Sequence, residues 1–120
     1  MTPPLSLTKC RSTQRLVEQP MAIENIWKEH QQARFPSACR GGDIEGIDFV
    51  MLDADIAGCV STFIKRRTLD QWRTAVLGVC YRNVTYVLPQ MPLEGRLYFQ
   101  RLERLARLVL DAVREQTKDR

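Results

Sequence analysis

The stretch IDFVMLDADIAGCVSTFI, residues 47–64, decides the fold because it is the most apolar segment of the chain. Placed on a helix at about 100° per residue, its large apolar side chains cover one continuous arc of about 160°. The alternation that a half-buried strand requires breaks at residues 49–52, where apolar residues follow one another without interruption. The stretch therefore predicts a central α-helix that other elements must cover.

One charged residue lies inside that apolar arc. Asp53 falls between Val60 and Ile64 on the helical projection. A carboxylate in such a place must find a hydrogen-bond partner, keep a path to water, or take up a proton. Asp53 is therefore the first candidate for a polar site, whether structural or functional.

Helical periodicity recurs along the rest of the chain, and it places Trp72 and Val79 on the predicted core face of the third helix and Tyr98 on the apolar face of the last. The predicted helices cover about residues 21–35, 44–66, 69–88 and 93–117. The connectors between them are short, which favours packing of neighbouring helices against one another. The sequence therefore predicts an all-α fold, a four-helix bundle built as a single helical domain over residues 21–120.

Local signals predict where these helices begin and end. Asp43 is expected to cap the central helix, because a carboxylate accepts hydrogen bonds from the first free backbone N–H groups. Thr68 and Gln71 have the spacing of a capping box at the start of the third helix. Pro36 and Pro89 are expected to stop the first and third helices.

Residues 1–20 differ from the rest of the chain, since they are basic, rich in Ser, Thr and Pro, and lack a helical face. They are expected to form a non-globular N-terminal extension outside the fold. Two interpretations stay open: Met21 is the true start of the protein, or the extension is a targeting peptide. Pro3 and Pro4 oppose the amphipathic helix that a targeting peptide would need.

Charge and cysteine usage limit the classes of function. The net charge of +4 is spread along the chain, so neither a nucleic-acid partner nor a membrane partner is expected. No two of the four cysteines have the C-x-x-C spacing, and one histidine is too few for the usual zinc sites. We therefore expect no metal, no cofactor and no catalytic residue, with reduced thiols in a cytoplasmic protein.

Four polar side chains are candidates for a ligand-binding site because they fall on otherwise apolar helical faces. They are Asp53, Arg73, Arg101 and His30. One interpretation is a partly buried ion pair that fixes how the helices pack. The other is a cavity between helices, lined also by His30, in which an arginine binds a small anion and Asp53 orients it or moves a proton.

The last helix has apolar residues over more than half of its circumference, which is wider than one partner helix covers. The excess forms a second seam made of Phe99, Ala106, Leu110 and Val113. This width predicts a homodimer that packs through the last helix.

The sequence thus favours a non-enzymatic interaction or regulatory module that acts as a homodimer, with a further protein partner as an open option. The first alternative is a small-anion or small-molecule binding protein, or a minor enzyme, with a polar cavity between helices. The second is a DNA-binding regulator, because Lys65-Arg66-Arg67 precedes the third helix as in a helix-turn-helix.

Overall fold

The computed structural model describes residues 21–118, and the predictions for residues 1–20 lie outside this range. The fold within it is all-α, as predicted, with one small β-hairpin between the first two helices. The helices are α1 (residues 21–32), α2 (Phe49–Arg66), α3 (Gln71–Val87) and α4 (Leu93–Lys118). Strands β1 (Asp43–Ile44) and β2 (Ile47–Asp48) pair antiparallel, and 3-10 turns lie at Ser37–Cys39 and Leu88–Gln90. None of these helices is both long enough and apolar enough to cross a membrane.

The start of α2 differs from the prediction because the hairpin takes the place of the expected first helical turn. Glu45 and Gly46 have φ values of 52° and 83°, the left-handed conformation that a tight two-residue hairpin turn requires. Asp48, not Asp43, caps α2: its carboxylate accepts a hydrogen bond from the Met51 N–H at 2.9 Å. The Asp43 carboxylate instead accepts from the Gly46 N–H at 3.0 Å, inside the turn.

The start of α3 also corrects the predicted capping box. The capping residue is Asp70, whose carboxylate accepts a hydrogen bond from the Arg73 N–H at 3.1 Å. Thr68 therefore lies before the helix, and Gln71 is its first residue rather than a member of a capping box. A carboxylate at this position also favours the helix because it lies at the positive end of the helix dipole.

Helix α1 ends three residues earlier than predicted, and residues 33–35 leave the helix ahead of Pro36. This exit allows Phe35 to pack edge-on against Tyr98 and Phe99 of α4, with ring centroids 5.5 and 5.9 Å apart. On its other side, the Phe99 ring lies 5.9 Å from Phe49 at the start of α2. These aromatic contacts join the loop, α2 and α4 in one core.

Helix α4 forms the centre of this core. Phe99, Leu102, Leu105, Ala106 and Val109 are fully buried along its inner face. Of the seam predicted for a homodimer, Phe99 and Ala106 are thus covered within the chain, while Leu110 and Val113 are half-buried. Self-association stays a prediction, but the first two residues are not available to a partner on this surface.

Helix α3 leaves more apolar surface exposed than the sequence predicts. Leu77, Cys80, Val84 and Val87 form its buried face. Trp72 and Val79, which were expected in the core, are 75% and 46% exposed. The expectation was wrong because the apolar arc of α3 is wider than the surface that α2 and α4 together cover.

Gly95 provides a test of the packing between α4 and the loop. A Cβ atom at Gly95 would overlap the Cys39 Sγ, whereas a Cβ at Gly78 of α3 would meet no atom within 4 Å. Gly95→Ala should therefore lower the free energy of unfolding by about 1–3 kcal/mol. Gly78→Ala should raise it by about 0.5–1 kcal/mol, since alanine favours the helix. Urea denaturation of both variants measures the two values.

The matched check is Gly95→Ala in a Cys39→Ala background, where the overlapping sulfur is gone. There the substitution should cost much less than in the unmodified chain. An equal cost in both backgrounds would show that the Cys39 contact is not the cause.

Candidate functional site

Asp53 lies where α1, α2 and α4 meet, and its side chain is 20% exposed. One carboxylate oxygen, Oδ1, lies 3.2 Å from His30 Nε2 of α1. The other oxygen, Oδ2, accepts a hydrogen bond from the Tyr98 hydroxyl of α4 at 2.8 Å. The carboxylate inside the apolar arc of α2 therefore has two hydrogen-bond partners, each from a different helix.

His30 is the second member of this cluster and is 5% exposed. Its Nδ1 accepts a hydrogen bond from Arg101 Nε at 3.3 Å. Because a guanidinium can only donate, Nδ1 carries no proton, and Nε2 carries the proton that is donated to Asp53. The His30 ring lies 5.9 Å from Trp27 and 4.5 Å from Tyr98, so packing as well as hydrogen bonding fixes its orientation.

Arg101 forms the outer end of the cluster and is half-buried. Its guanidinium carbon lies 5.6 Å from the centroid of the Tyr98 ring, over the ring. This is the distance of a cation–π contact, which attracts the charge to the ring face. Tyr98 therefore contacts all three other members of the cluster: Asp53 through its hydroxyl, and His30 and Arg101 through its ring.

Arg73, the fourth residue predicted for the site, lies elsewhere. It is exposed at the start of α3, where its Nη1 donates to Asp70 Oδ1 at 2.7 Å. This hydrogen bond and the neighbouring carboxylate raise the pKa of Arg73, and the same contact lowers the pKa of Asp70. The helical projection placed Arg73 on the inner face, but in the first turn it pairs with its own helix cap.

Tyr98 is the member of the site that the sequence analysis missed. It was counted among the apolar residues of α4, although its hydroxyl is a hydrogen-bond donor that needs a partner when buried. Burial, with the neighbouring Asp53 carboxylate as the second cause, raises the pKa of Tyr98 well above its ordinary value. A buried tyrosine on the arc that faces a buried aspartate was the signal that would have identified it.

The buried polar atoms of the cluster satisfy one another. In residues 21–118, no buried side-chain nitrogen or oxygen lacks a hydrogen-bond partner. The buried thiols of that range are protonated at neutral pH, since burial raises the pKa of Cys39, of Cys59 and of Cys80, the last to about 11. No group of three or more metal-ligating side chains occurs in the same residues. The geometry thus fits a structural polar cluster, and the ligand-binding role of these residues stays a prediction.

A double-mutant cycle between Asp53 and Tyr98 tests whether the hydrogen bond joins α2 to α4. Asp53→Asn should lower the free energy of unfolding by roughly 1–3 kcal/mol, because a charged acceptor with two donors is lost. In a Tyr98→Phe background the same change should cost less, since the two residues share one interaction. Asp55→Asn, an exposed carboxylate two residues along the same helix, is the control and should change stability by less than about 0.5 kcal/mol. Additive effects of the first two substitutions would contradict the contact.

The raised pKa of Tyr98 predicts a specific loss of stability at alkaline pH. The folded state holds the phenolic proton more tightly than the unfolded state, in which the pKa is about 10. The contribution of Tyr98 to the free energy of unfolding is therefore fully present below about pH 10. It is lost as the pH rises toward the higher pKa that Tyr98 has in the folded state. Urea denaturation at about pH 8 and about pH 11 should show a smaller alkaline loss for Tyr98→Phe than for the unmodified chain.

Tyr86→Phe is the matched control for this measurement. The Tyr86 hydroxyl donates to the Glu45 carboxylate, and this hydrogen bond raises its pKa, but the side chain is exposed to solvent. Its contribution is screened, so the alkaline loss should remain nearly that of the unmodified chain. If Tyr86→Phe reduced the alkaline loss of stability as much as Tyr98→Phe does, the loss would come from tyrosine ionisation in general and not from Tyr98.

Comparison of the chain with protein-family models, with curated proteins and with solved structures finds no match. Function is therefore inferred from the geometry of residues 21–118.

Proposed function

We propose that this protein is a non-enzymatic interaction module that self-associates through the exposed face of α3. The observation that carries the proposal is a line of five residues at spacings of four, three, four and three. They are Trp72, Val76, Val79, Asn83 and Tyr86, called the α3 seam below. This is the spacing by which helices pack side by side in coiled coils and bundles.

The α3 seam has the exposure and composition of an interface. Trp72 is 75% exposed, Val79 46% and Tyr86 50%. Tryptophan and tyrosine are enriched at the centres of protein interfaces, where they carry much of the binding energy. A partner that covers these side chains removes apolar surface from water, which favours association.

A groove beside the α3 seam gives a partner side chain a place to enter. It has a volume of about 310 Å³ and lies between α2 and α3. The small residues Ala54 and Gly58 line it on α2, Trp72 and Val76 line it on α3, and the polar side chains of Asp55, Thr62 and Arg73 also border it. A side chain from a second molecule that enters this groove would cover the indole ring.

A second copy of the chain fits the α3 seam because the seam is self-complementary. When two α3 helices pack antiparallel about a two-fold axis between Val76 and Val79, Trp72 of each copy faces Asn83 of the other. The indole N–H is a donor and the asparagine side-chain oxygen is an acceptor, so each satisfies the other as water is excluded. A two-fold arrangement also closes the assembly at a dimer.

The polar cluster supports a non-enzymatic role rather than a catalytic one. Both ring nitrogens of His30 are engaged, one with Asp53 and one with Arg101. A general base needs a free nitrogen within reach of the proton that it removes. The arrangement is therefore better suited to holding three helices together than to moving protons.

Sedimentation equilibrium over a wide range of protein concentration tests the proposal. The unmodified chain should dimerise, and Trp72→Ala should weaken the dimer by about 30-fold or more, because removing a central interface tryptophan costs roughly 2 kcal/mol. Leu97→Ala is the control, since Leu97 is 76% exposed on α4 and lies off the α3 seam. Its dimerisation constant should not change.

The predicted contact between Trp72 and Asn83 gives a sharper test. These residues are eleven positions apart on α3, about 16 Å along one helix, and do not reach each other within a monomer. In the dimer, Trp72→Ala and Asn83→Ala should therefore weaken association by less together than the sum of their separate effects. A chain that stays monomeric at about millimolar concentration, or a dimer unaffected by Trp72→Ala, would refute self-association through this seam.

A further inference from the structure

Arg101 has donor groups that the cluster does not use. Its Nε donates to His30 Nδ1 at 3.3 Å, and its guanidinium is held over the Tyr98 ring. Neither terminal nitrogen, Nη1 or Nη2, donates to any other side chain or carbonyl of residues 21–118. The side chain is half-buried, so its outer edge reaches solvent while its inner edge is fixed.

The surroundings of Arg101 on α4 are basic and apolar. The positions three and four residues away carry Leu97, Tyr98, Arg104 and Leu105, none of which is acidic. Arg104 is exposed one turn further along the helix. Two guanidinium groups on adjacent turns without a helical carboxylate partner repel each other, and a bound anion relieves that repulsion.

Asp53 does not neutralise this pair of arginines by direct contact. Its two oxygens are taken by His30 and Tyr98, and His30 stands between it and Arg101. The carboxylate therefore fixes the position of the guanidinium through the imidazole and leaves the outer edge free. Arginine residues positioned in this way bind planar or tetrahedral oxyanions through two parallel N–H···O bonds.

The geometry points to a phosphate-binding site at Arg101 and Arg104 that takes a phosphate monoester carrying an apolar group. The two free edges of the guanidinium pair suit a dianion with several acceptor oxygens. Leu97 lies one turn before Arg101 and is 76% exposed, so it offers a contact for the apolar part of the ester. This site is separate from the α3 seam and does not depend on dimerisation.

His30 and Asp53 are positioning residues in this site. The unprotonated Nδ1 of His30 holds the Nε–H of Arg101, and Asp53 keeps the histidine in that tautomer. Because the arginine is already ordered, less conformational entropy is lost when an anion binds. The phosphate affinity should therefore depend on His30 as well as on the arginines.

Titration calorimetry with phenyl phosphate at constant ionic strength tests the site on the full chain. The unmodified chain should bind phenyl phosphate more tightly than inorganic phosphate, and inorganic phosphate more tightly than acetate. Arg101→Ala should weaken phenyl phosphate binding by about tenfold or more. Arg107→Ala removes the same charge from the same helix, but Arg107 lies four residues from Glu103 and Asp111, so this control should change affinity by about twofold at most.

Three further tests separate a specific site from general charge attraction and from misfolding. Arg101→Lys keeps the positive charge but loses the planar guanidinium and its paired N–H donors. It should therefore weaken phenyl phosphate binding nearly as much as Arg101→Ala. The Arg101 Nε–H resonance in ¹⁵N-edited NMR should shift saturably with phenyl phosphate in the unmodified chain, which requires no substitution. His30→Phe keeps an aromatic ring, leaves the charge of the arginines unchanged, and should move this resonance and weaken binding by several-fold.

Equal losses in Arg101→Ala and Arg107→Ala, or an Arg101 resonance that phenyl phosphate does not move, would overturn the proposal. A preference for acetate over inorganic phosphate would do the same, because it would assign the arginines to carboxylate binding. Thermal melting of each variant shows whether it is folded. If Arg101→Ala does not fold, the NMR measurement on the unmodified chain still tests whether phenyl phosphate binds at Arg101.

Discussion

The fold depends on the need to satisfy one carboxylate inside an apolar surface. Asp53 lies on the arc of α2 that faces the core, so its charge must be hydrogen-bonded there or the helix cannot pack. The two donors come from residues far away in the sequence, His30 on α1 and Tyr98 on α4. The carboxylate therefore selects the packing in which these three helices meet. Helix α1 is short, and this polar contact adds to the burial of Ile23 and Ile26 in holding it in place.

Helix α3 is outside this network. It packs chiefly through apolar side chains, and its hydrogen bonds to neighbouring elements include those from the Thr85 hydroxyl to Glu103 of α4 and from the Tyr86 hydroxyl to Glu45. Its buried face, from Leu77 to Val87, faces α2 and α4. Its apolar arc extends past the covered region to Trp72 and Val79, which are exposed. The proposed self-association through the α3 seam rests on this exposed apolar surface.

Helical periodicity in the sequence was enough to predict the all-α fold and the approximate helices, because amphipathic patterns report burial directly. It also brought Asp53, His30 and Arg101 to one place, since charged residues on apolar faces have few ways to be satisfied. The errors lie where local chemistry outweighs periodicity. Arg73 turns outward because Asp70 caps its helix. Tyr98 was missed because an aromatic ring counts as apolar in a periodic pattern, while its hydroxyl decides its role. The width of an arc shows that something must cover it but does not identify the covering element: Phe99 and Ala106 of the predicted α4 seam are covered within the chain, and a homodimer through α4 stays a prediction.

The cluster of Asp53, His30, Tyr98 and Arg101 can hold the helices together and still bind a ligand. The reason is that its hydrogen bonds all run in one direction, toward Asp53. Arginine only donates, so the chain of hydrogen bonds runs from Arg101 through His30 to Asp53, where Tyr98 donates from the other side. Each Asp53 oxygen has one donor inside the protein, so the carboxylate is held between two helices. The terminal N–H donors of Arg101, which bind no described side chain or carbonyl, lie at the opposite end of the network near solvent. The proposed phosphate site uses these donors, because a guanidinium that is already held in place loses less conformational freedom when it binds an oxyanion.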